Sequence, residues 1–355
     1  MSHPGRHDGA PAPGTAAPGP VDAAALDEAW ARLAAACPGR VRRDVALAPL
    51  TTFRLGGPAR LYLQAESVAD LAALAGTLAA VPLPLLIVGR GSNMLVADAG
   101  WPGVALHLGT RFRGVRVDGV ELEAGAATPL PSVASRSAAA GLGGLAFAVA
   151  IPGSVGGGVR MNAGAHGSEL ADRLVWAEVV RLDGPLAGEP TRRKPDELGL
   201  GYRRSALPAA AVVTAARFAL HPAPEAEVRA EIDGARRWRR GNQPVNEPNC
   251  GSVFANPPEM AAGRAVELLG LKGTRHGGAR VSEVHANFIV AAEGATSADV
   301  LALIRLAQQR ARDEFGITLR TEVQLVGEFG TPAGERPAAR RPDGPGAEPR
   351  AEVEG

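Results

Sequence analysis

Apolar positions recur along this chain at two spacings, and the change from one to the other marks its elements. An Ala-rich helical pattern runs from Val21 to Ala36 and stops at Pro38-Gly39. After a turn-rich loop from Pro49 to Ala59, Arg60–Gln64 alternates as a strand. Ser67, with Asp70 three residues on, then makes a capping box for a helix over Val68–Ala80. Leu85–Val88 fits a short buried strand that runs into Gly89-Arg-Gly-Ser-Asn93, with a second apolar run at Met94–Ala97. Short alternating segments fill Val104–Gly125, where Asp118-Gly119 marks a hairpin. A helix over Pro131–Ala140 ends at Gly141. Strands are expected over Leu174–Leu182 and Val212–Leu220, with a long loop between them. Helices follow from Pro224 to Arg240, over Met260–Leu269 and over Ser297–Phe315, with strands at Asn287–Ala291 and Ile317–Val326. The final third, from about residue 225, reads as a separate α+β unit.

The chain has 355 residues, 46% of them hydrophobic, enough to bury cores for two or three domains. Both ends, 1–20 and 329–355, are poor in core-forming residues and are expected to be disordered. A net charge of +1 gives no reason to expect nucleic acid or an anionic membrane as a partner. Two distant cysteines, Cys37 and Cys250, make neither a disulfide framework nor a CxxC pair, which suits a reducing compartment. No apolar run is long enough to span a bilayer and no signal-peptide pattern opens the chain, so a soluble cytoplasmic protein is expected. Seven histidines show no HxxxH or HExxH spacing, and no metal site is expected.

The densest candidate chemistry is the glycine-rich stretch Ile151–Gly167. Bare main chain can wrap a pyrophosphate there, and a tight buried turn between packed layers is the equal alternative. The Gly89–Asn93 turn leaves a buried strand, where α/β folds place phosphate groups. Gly141-Leu-Gly143-Gly-Leu-Ala146 fits GxGxxA but follows a helix rather than a strand, so the dinucleotide fingerprint lacks its context. Arg236, Arg237, Arg239 and Arg240 complement a helix dipole and read as a solvated helix end. Cys250 has no identifiable base and reads as a packed small residue before a nucleophile.

Nine segments then stand together in one order. Thr52-Phe-Arg54-Leu-Gly-Gly-Pro-Ala59, Gly89-x-Gly91-Ser92-Asn93, Ile151-Pro-Gly153-Ser154-Val-Gly156-Gly157 and Met161-Asn-Ala-Gly-Ala165 come first. Tyr202-Arg203-x-Ser205, Gly251-Ser252-Val-Phe254, Asn256-Pro257, Leu271-Lys-Gly and His285-Ala-Asn-Phe288 follow. The set resembles the UDP-N-acetylenolpyruvoylglucosamine reductase family over about residues 45–328. The resemblance implies an FAD-binding fold of the vanillyl-alcohol-oxidase type made of two α/β units, 21–110 and 111–223. A C-terminal α+β substrate-binding domain, 224–328, would follow, giving an α+β protein overall. It also implies non-covalent FAD, NADPH as co-substrate, a UDP-sugar substrate and a monomer. The immediate apolar run after His285–Phe288 resembles the shorter family variant, which lacks a tyrosine-bearing loop.

By the same resemblance Arg203 and Glu322 act on the substrate carboxylate and Ser252 gives a proton to the carbanion. Thr52, Arg54, Gly89, Gly91, Ser92, Asn93, Gly153, Ser154, Gly156 and Gly157 would hold FAD, and Tyr202 and Asn256 the UDP-sugar. Without the family, Arg203 reads as a surface arginine, Ser252 as a turn serine, and Glu322 as part of a solvated strand face with Arg320. Two positions depart from the family pattern. Asn242 and Ala255 stand where basic residues are common, leaving the diphosphate to the Arg236–Arg240 cluster or Lys272. Another flavoenzyme of the same fold would share the two glycine loops but lack a reason for the Tyr202, Gly251 and Glu322 segments. A non-catalytic nucleotide-sugar binding module would not need Arg203, Ser252 and Glu322 together.

Overall fold

A computed structural model describes residues 21–329 and Gly19; the expected disordered tails, apart from Gly19 and Phe329, lie outside the described residues. The first unit is a four-stranded sheet in the order Val41–Ala46, Pro58–Ala65, Trp101–Leu108, Leu85–Val88. Its last three strands run parallel and are covered on both sides, which is why Leu61, Tyr62 and Leu63 are all buried in succession. The helices Ala23–Ala36 and Val68–Ala80 cover one face. The second helix starts where its local chemistry dictates. Ser67 Oγ accepts from Asp70 N–H at 3.2 Å, and Asp70 Oδ2 accepts from Ser67 N–H at 3.1 Å.

The second unit is a five-stranded antiparallel sheet ordered Pro190–Arg193, Leu174–Arg181, Ala211–Ala219, Glu121–Gly125, Val115–Asp118. The Asp118-Gly119 turn closes its hairpin, with Gly119 at φ +59° and Asp118 opposite Glu121. Val180, Leu182 and Val212 reach into the first unit's core, so the two sheets share buried side chains. Leu142–Gly143 pairs with His221–Pro222 in a two-residue antiparallel bridge, and only a short 3-10 helix, Ala146–Ala150, follows it, so the GxGxxA match lacks the long strand and α-helix of a dinucleotide fold.

Several elements differ from the sequence pattern. A helix, Val155–Met161, forms inside the glycine stretch despite three consecutive glycines, which are poor helix formers. Packing accounts for it: a Cβ at Gly158 would stand 2.7 Å from Leu170 Cδ1, and one at Gly156 3.0 Å from Ala126 Cβ. The helix Glu225–Asn242, placed in the third unit by a boundary at 224, buries Val228 and Ile232 in the second unit's core. The structural break therefore falls after Asn242. The expected strand Ile317–Val326 shortens to Gln324–Val326, preceded by a single bridge between Thr321 and Phe254.

The third unit holds a three-stranded antiparallel sheet, Arg275–His276, Ala279–Val281 and Ile289–Ala291, under the helices Ala262–Leu268 and Ser297–Phe315. Its core takes in Phe53, Leu55 and Leu95 from the first unit. Asp98 also accepts from the N–H groups of Ser297 and Ala298 at 2.9 and 3.1 Å, capping the long helix from outside. Finally Gln324–Val326 returns to pair in parallel with Met94–Val96. Two units thus meet along the strand that carries the residues after Gly89–Asn93.

Candidate active site

The two glycine-rich stretches abut across one wall of a cleft of about 460 Å³. Arg90 Nε donates to Pro152 O at 2.8 Å, and a Cβ at Gly89 would stand 3.0 Å from Ser154 Oγ. Gly91 turns at φ +58°, and a Cβ there would lie 2.2 Å from Leu50 O. Ser154 caps the helix Val155–Met161 by accepting from Gly157 N–H. The N–H groups of Val155 and Gly156 are already bonded to Thr128 O and Ala126 O, so this helix end has few donors to spare. Donors lie instead on the other loop, where among the described residues no acceptor meets the N–H groups of Gly91, Ser92 and Asn93. A Cβ at Gly153 or Gly157 would meet nothing nearer than 3.5 Å, so bare main chain borders the cleft at both. This combination fits the diphosphate of a dinucleotide cofactor.

Other residues expected at the cofactor sit differently. Thr52 braces the loop from behind, its N–H donating to Gly91 O at 3.2 Å. Arg54 is exposed at φ +57° and lines neither cleft. Gly156 borders a side cavity of about 90 Å³ that continues past Gly89, Ser154 and Gly157.

Arg203 and Glu322, which also line the cleft, form an ion pair, Nε to Oε1 at 3.2 Å. Arg203 also donates from Nη2 to Gly164 O at 2.8 Å, and its guanidinium lies over the Tyr202 ring at 4.9 Å. Glu322 therefore turns inward; the solvated face shared with Arg320 does not form. Burial pushes its carboxyl above the ordinary carboxylate range, and the Arg203 charge offsets only part of that. Glu322 N–H donates to Val253 O at 2.8 Å, which sets the Ser252 segment beside the Glu322 segment. Ser252 borders the cleft, and among the described residues its hydroxyl has no hydrogen-bond partner. Cys250 is buried, and burial together with the Glu322 charge holds its thiol far up, so it stays a protonated packing residue.

Asn93 ties the Gly89–Asn93 loop to the Glu322 segment. Its Nδ2 donates to Glu322 O at 3.1 Å and its carbonyl accepts from Gln324 N–H at 3.0 Å. Asn287 fixes the other flank, donating to Phe254 O at 2.8 Å and accepting from Phe254 N–H at 2.9 Å. Asn287 stands in the His285–Phe288 segment, and its one signal in the sequence is a lone amide inside an apolar run. Of the basic groups considered for the diphosphate, Arg239 borders the cleft, its Nε donating to Gln243 Oε1 at 3.0 Å. Arg236 pairs outward with Asp233 and Lys272 with Glu267. Asn256 borders the cleft while its Oδ1 accepts from Ala262 N–H at 3.0 Å. Among the described residues no group of histidine, cysteine and carboxylate side chains could hold a metal, and no helix is long and apolar enough to cross a membrane.

The family model for the C-terminal domain of UDP-N-acetylenolpyruvoylglucosamine reductase matches residues 243–326, starting where the second unit's last helix ends. An FAD-binding-domain model matches residues 59–187. A UDP-N-acetylenolpyruvoylglucosamine reductase from Anaeromyxobacter sp. (strain Fw109-5) is 45% identical over 295 residues, 82% of this chain and 90% of that protein. The chain belongs to this reductase family. A reductase of the same name from Rubrobacter xylanophilus is 41% identical over 80% of this chain and 95% of its own length. The crystal structure of the Thermus caldophilus reductase covers 81% of this chain and 99% of its own, at 37% identity and a TM-score of 0.70. This reductase family member is an FAD-dependent oxidoreductase. The FAD-binding domain takes in most of its first unit and the first part of its second, and its third unit is the family's C-terminal α+β domain.

Proposed function

We propose that this chain reduces the enolpyruvyl ether of UDP-N-acetylglucosamine to UDP-N-acetylmuramate with electrons from NADPH, a step of peptidoglycan precursor synthesis. It would work in the cytoplasm as a monomer, with FAD held non-covalently; the Gly89–Asn93 loop has no histidine or cysteine to tether it. The observation that carries the reading is the Arg203–Glu322 pair, which shares one cleft with Ser252 and both glycine loops. When bound, the flavin supplies hydride to the vinyl carbon. Electron density then collects on the carbon bearing the carboxylate and spreads into its oxygens. Arg203 holds that carboxylate with the guanidinium N–H groups left over from Glu322 and Gly164. Ser252 gives its hydroxyl proton to the carbon and regains one from solvent. Tyr202 and Asn256 lie along the nucleotide-sugar, and Arg239 faces its diphosphate. Purified protein should show flavin absorbance that NADPH bleaches and the enolpyruvyl nucleotide restores, and acid should release the flavin into solution. Colourless protein that still binds the nucleotide would leave a binding module instead.

The carboxylate clamp has its own test. Arg203→Lys keeps the charge but loses the fork, and should slow flavin reoxidation by substrate by roughly 10²–10³ while leaving reduction by NADPH nearly intact. Glu322 adds a pH dependence whose sign follows from its raised pKa. Below that pKa it is protonated and donates; above it, its charge opposes the charge developing on substrate. Reoxidation should therefore slow as pH rises through the Glu322 pKa. Its contribution to stability has the same sign, present below the unfolded pKa and lost as pH rises through the folded one. Glu322→Gln should be slower and lack this step; stopped-flow traces across pH read both. A Gln variant that turns over normally would return Glu322 to a structural role.

A further inference from the structure

The helix Glu225–Asn242 buries Val228 and Ile232 and half-buries Ala235 against the second unit's core. Arg239 continues that stripe at helical spacing, past the end of the core and into the cleft. Trp238 lies off the stripe. It is the one large apolar side chain in a last stretch otherwise made of Arg236, Arg237, Arg239 and Arg240, and it remains 48% exposed on the cleft wall. Nothing in the helix's own packing calls for it. Its indole has one aromatic neighbour: His166, itself at φ +53°, meets it edge to face, centroids 5.1 Å apart and planes at 83°. The hairpin that carries His166 is anchored by Arg203 through Gly164 O at 2.8 Å.

We propose that Trp238, set by His166, is a stacking platform for the planar base of a nucleotide whose diphosphate lies toward Arg239. An indole gives a large rigid face at little entropic cost, and a neighbouring guanidinium supplies the charge that the phosphates require. The inference rests on the reading of the cleft as a nucleotide site. The same chemistry is offered by the uracil of the nucleotide-sugar and by the bases of NADPH, and the two sources separate experimentally. UDP and NADP⁺ are titrated separately into the FAD-loaded parent, Trp238→Ala, Trp238→Phe and Trp238→Leu enzymes, following flavin absorbance and equilibrium dialysis. The expected result is UDP binding weakened roughly tenfold or more in the Ala variant, largely retained with Phe and poor with Leu, while NADP⁺ is unaffected. Weakening confined to NADP⁺ would support the platform with the other base upon it. Should Trp238→Ala lose its FAD, the comparison of Phe with Leu carries the test alone. Equal UDP and NADP⁺ binding by parent, Phe and Leu enzymes would overturn the platform. A parent enzyme that binds no UDP would instead remove the proposed function, and the inference with it.

Discussion

Ser252→Ala enzyme is expected to fold, retain FAD and be reduced by NADPH at the parental rate, yet to be reoxidised by the enolpyruvyl nucleotide roughly 10²–10⁴ times more slowly. The selectivity of the defect follows from the surroundings. Val253 and Phe254 are fixed by hydrogen bonds to Asn287 and Glu322, and none of these bonds involves the Ser252 side chain. Removing its oxygen therefore leaves the segment's course unchanged and takes away one donor. The hydroxyl has no partner among the described residues, so no other group is left unsatisfied. Ser252→Cys should recover part of the rate, since a thiol also carries a proton. Cys250→Ala makes the control: that thiol is buried, held protonated, and bonded weakly to Gly251 O, so its loss should alter reoxidation little. Stopped-flow reoxidation of pre-reduced enzyme distinguishes the three. Parental speed in Ser252→Ala would falsify the proton-donor role.

The second large effect is expected at two glycines that fail for different reasons. Gly91→Ala forces a side chain into the left-handed region and its Cβ to 2.2 Å from Leu50 O. Strain and overpacking together are worth about 2–5 kcal/mol, and relief by main-chain movement would carry away the N–H groups of Gly91–Asn93. This variant should lose both thermal stability and flavin. Gly157→Ala has room, with Ser154 Oγ at 3.5 Å as the nearest atom, and a helical alanine is favoured over glycine. Its apoprotein should be as stable as the parent or slightly more so, while the methyl group obstructs the cofactor wall and lowers flavin content. Flavin-to-protein ratios and apoprotein melting read the two effects separately. A Gly157→Ala enzyme with full flavin would take Gly157 off that wall.

What could be read from the chain depended on how far apart the deciding atoms lie in sequence. The capping box at Ser67 and Asp70 and the Asp118-Gly119 hairpin are settled within a few residues, and the structure has both. Val41–Ala46 escaped notice because it is a polar edge strand, with Arg42, Arg43 and Asp44 exposed. The helix Val155–Met161 runs against glycine propensity and exists through contacts with Leu130, Leu170 and Ala126 that no local pattern announces. The same holds at the site. The glycine loops were legible as backbone that can approach a ligand, but their division of labour was not. The donors of Val155 and Gly156 are used internally, and those of Gly91–Asn93 are left over. Alternation along the last strand paired Glu322 with Arg320, whereas distant Arg203 draws it into the cleft. Trp238 was hidden by the arginines around it.

The contacts that Asn93 makes with Glu322 and Gln324 join positions 229 and 231 residues apart, counting 322 − 93 and 324 − 93. Closing a loop of that length early in folding would cost more chain entropy than two hydrogen bonds return. Those contacts become affordable only once the second sheet and the third unit have already shortened the effective path between them. Glu322 is accordingly expected to reach Arg203 late, after the cores have formed. A nascent or partly folded chain can bury most of its apolar surface and still have no acid opposite its arginine. On the proposed mechanism, turnover would then wait on this long-range closure.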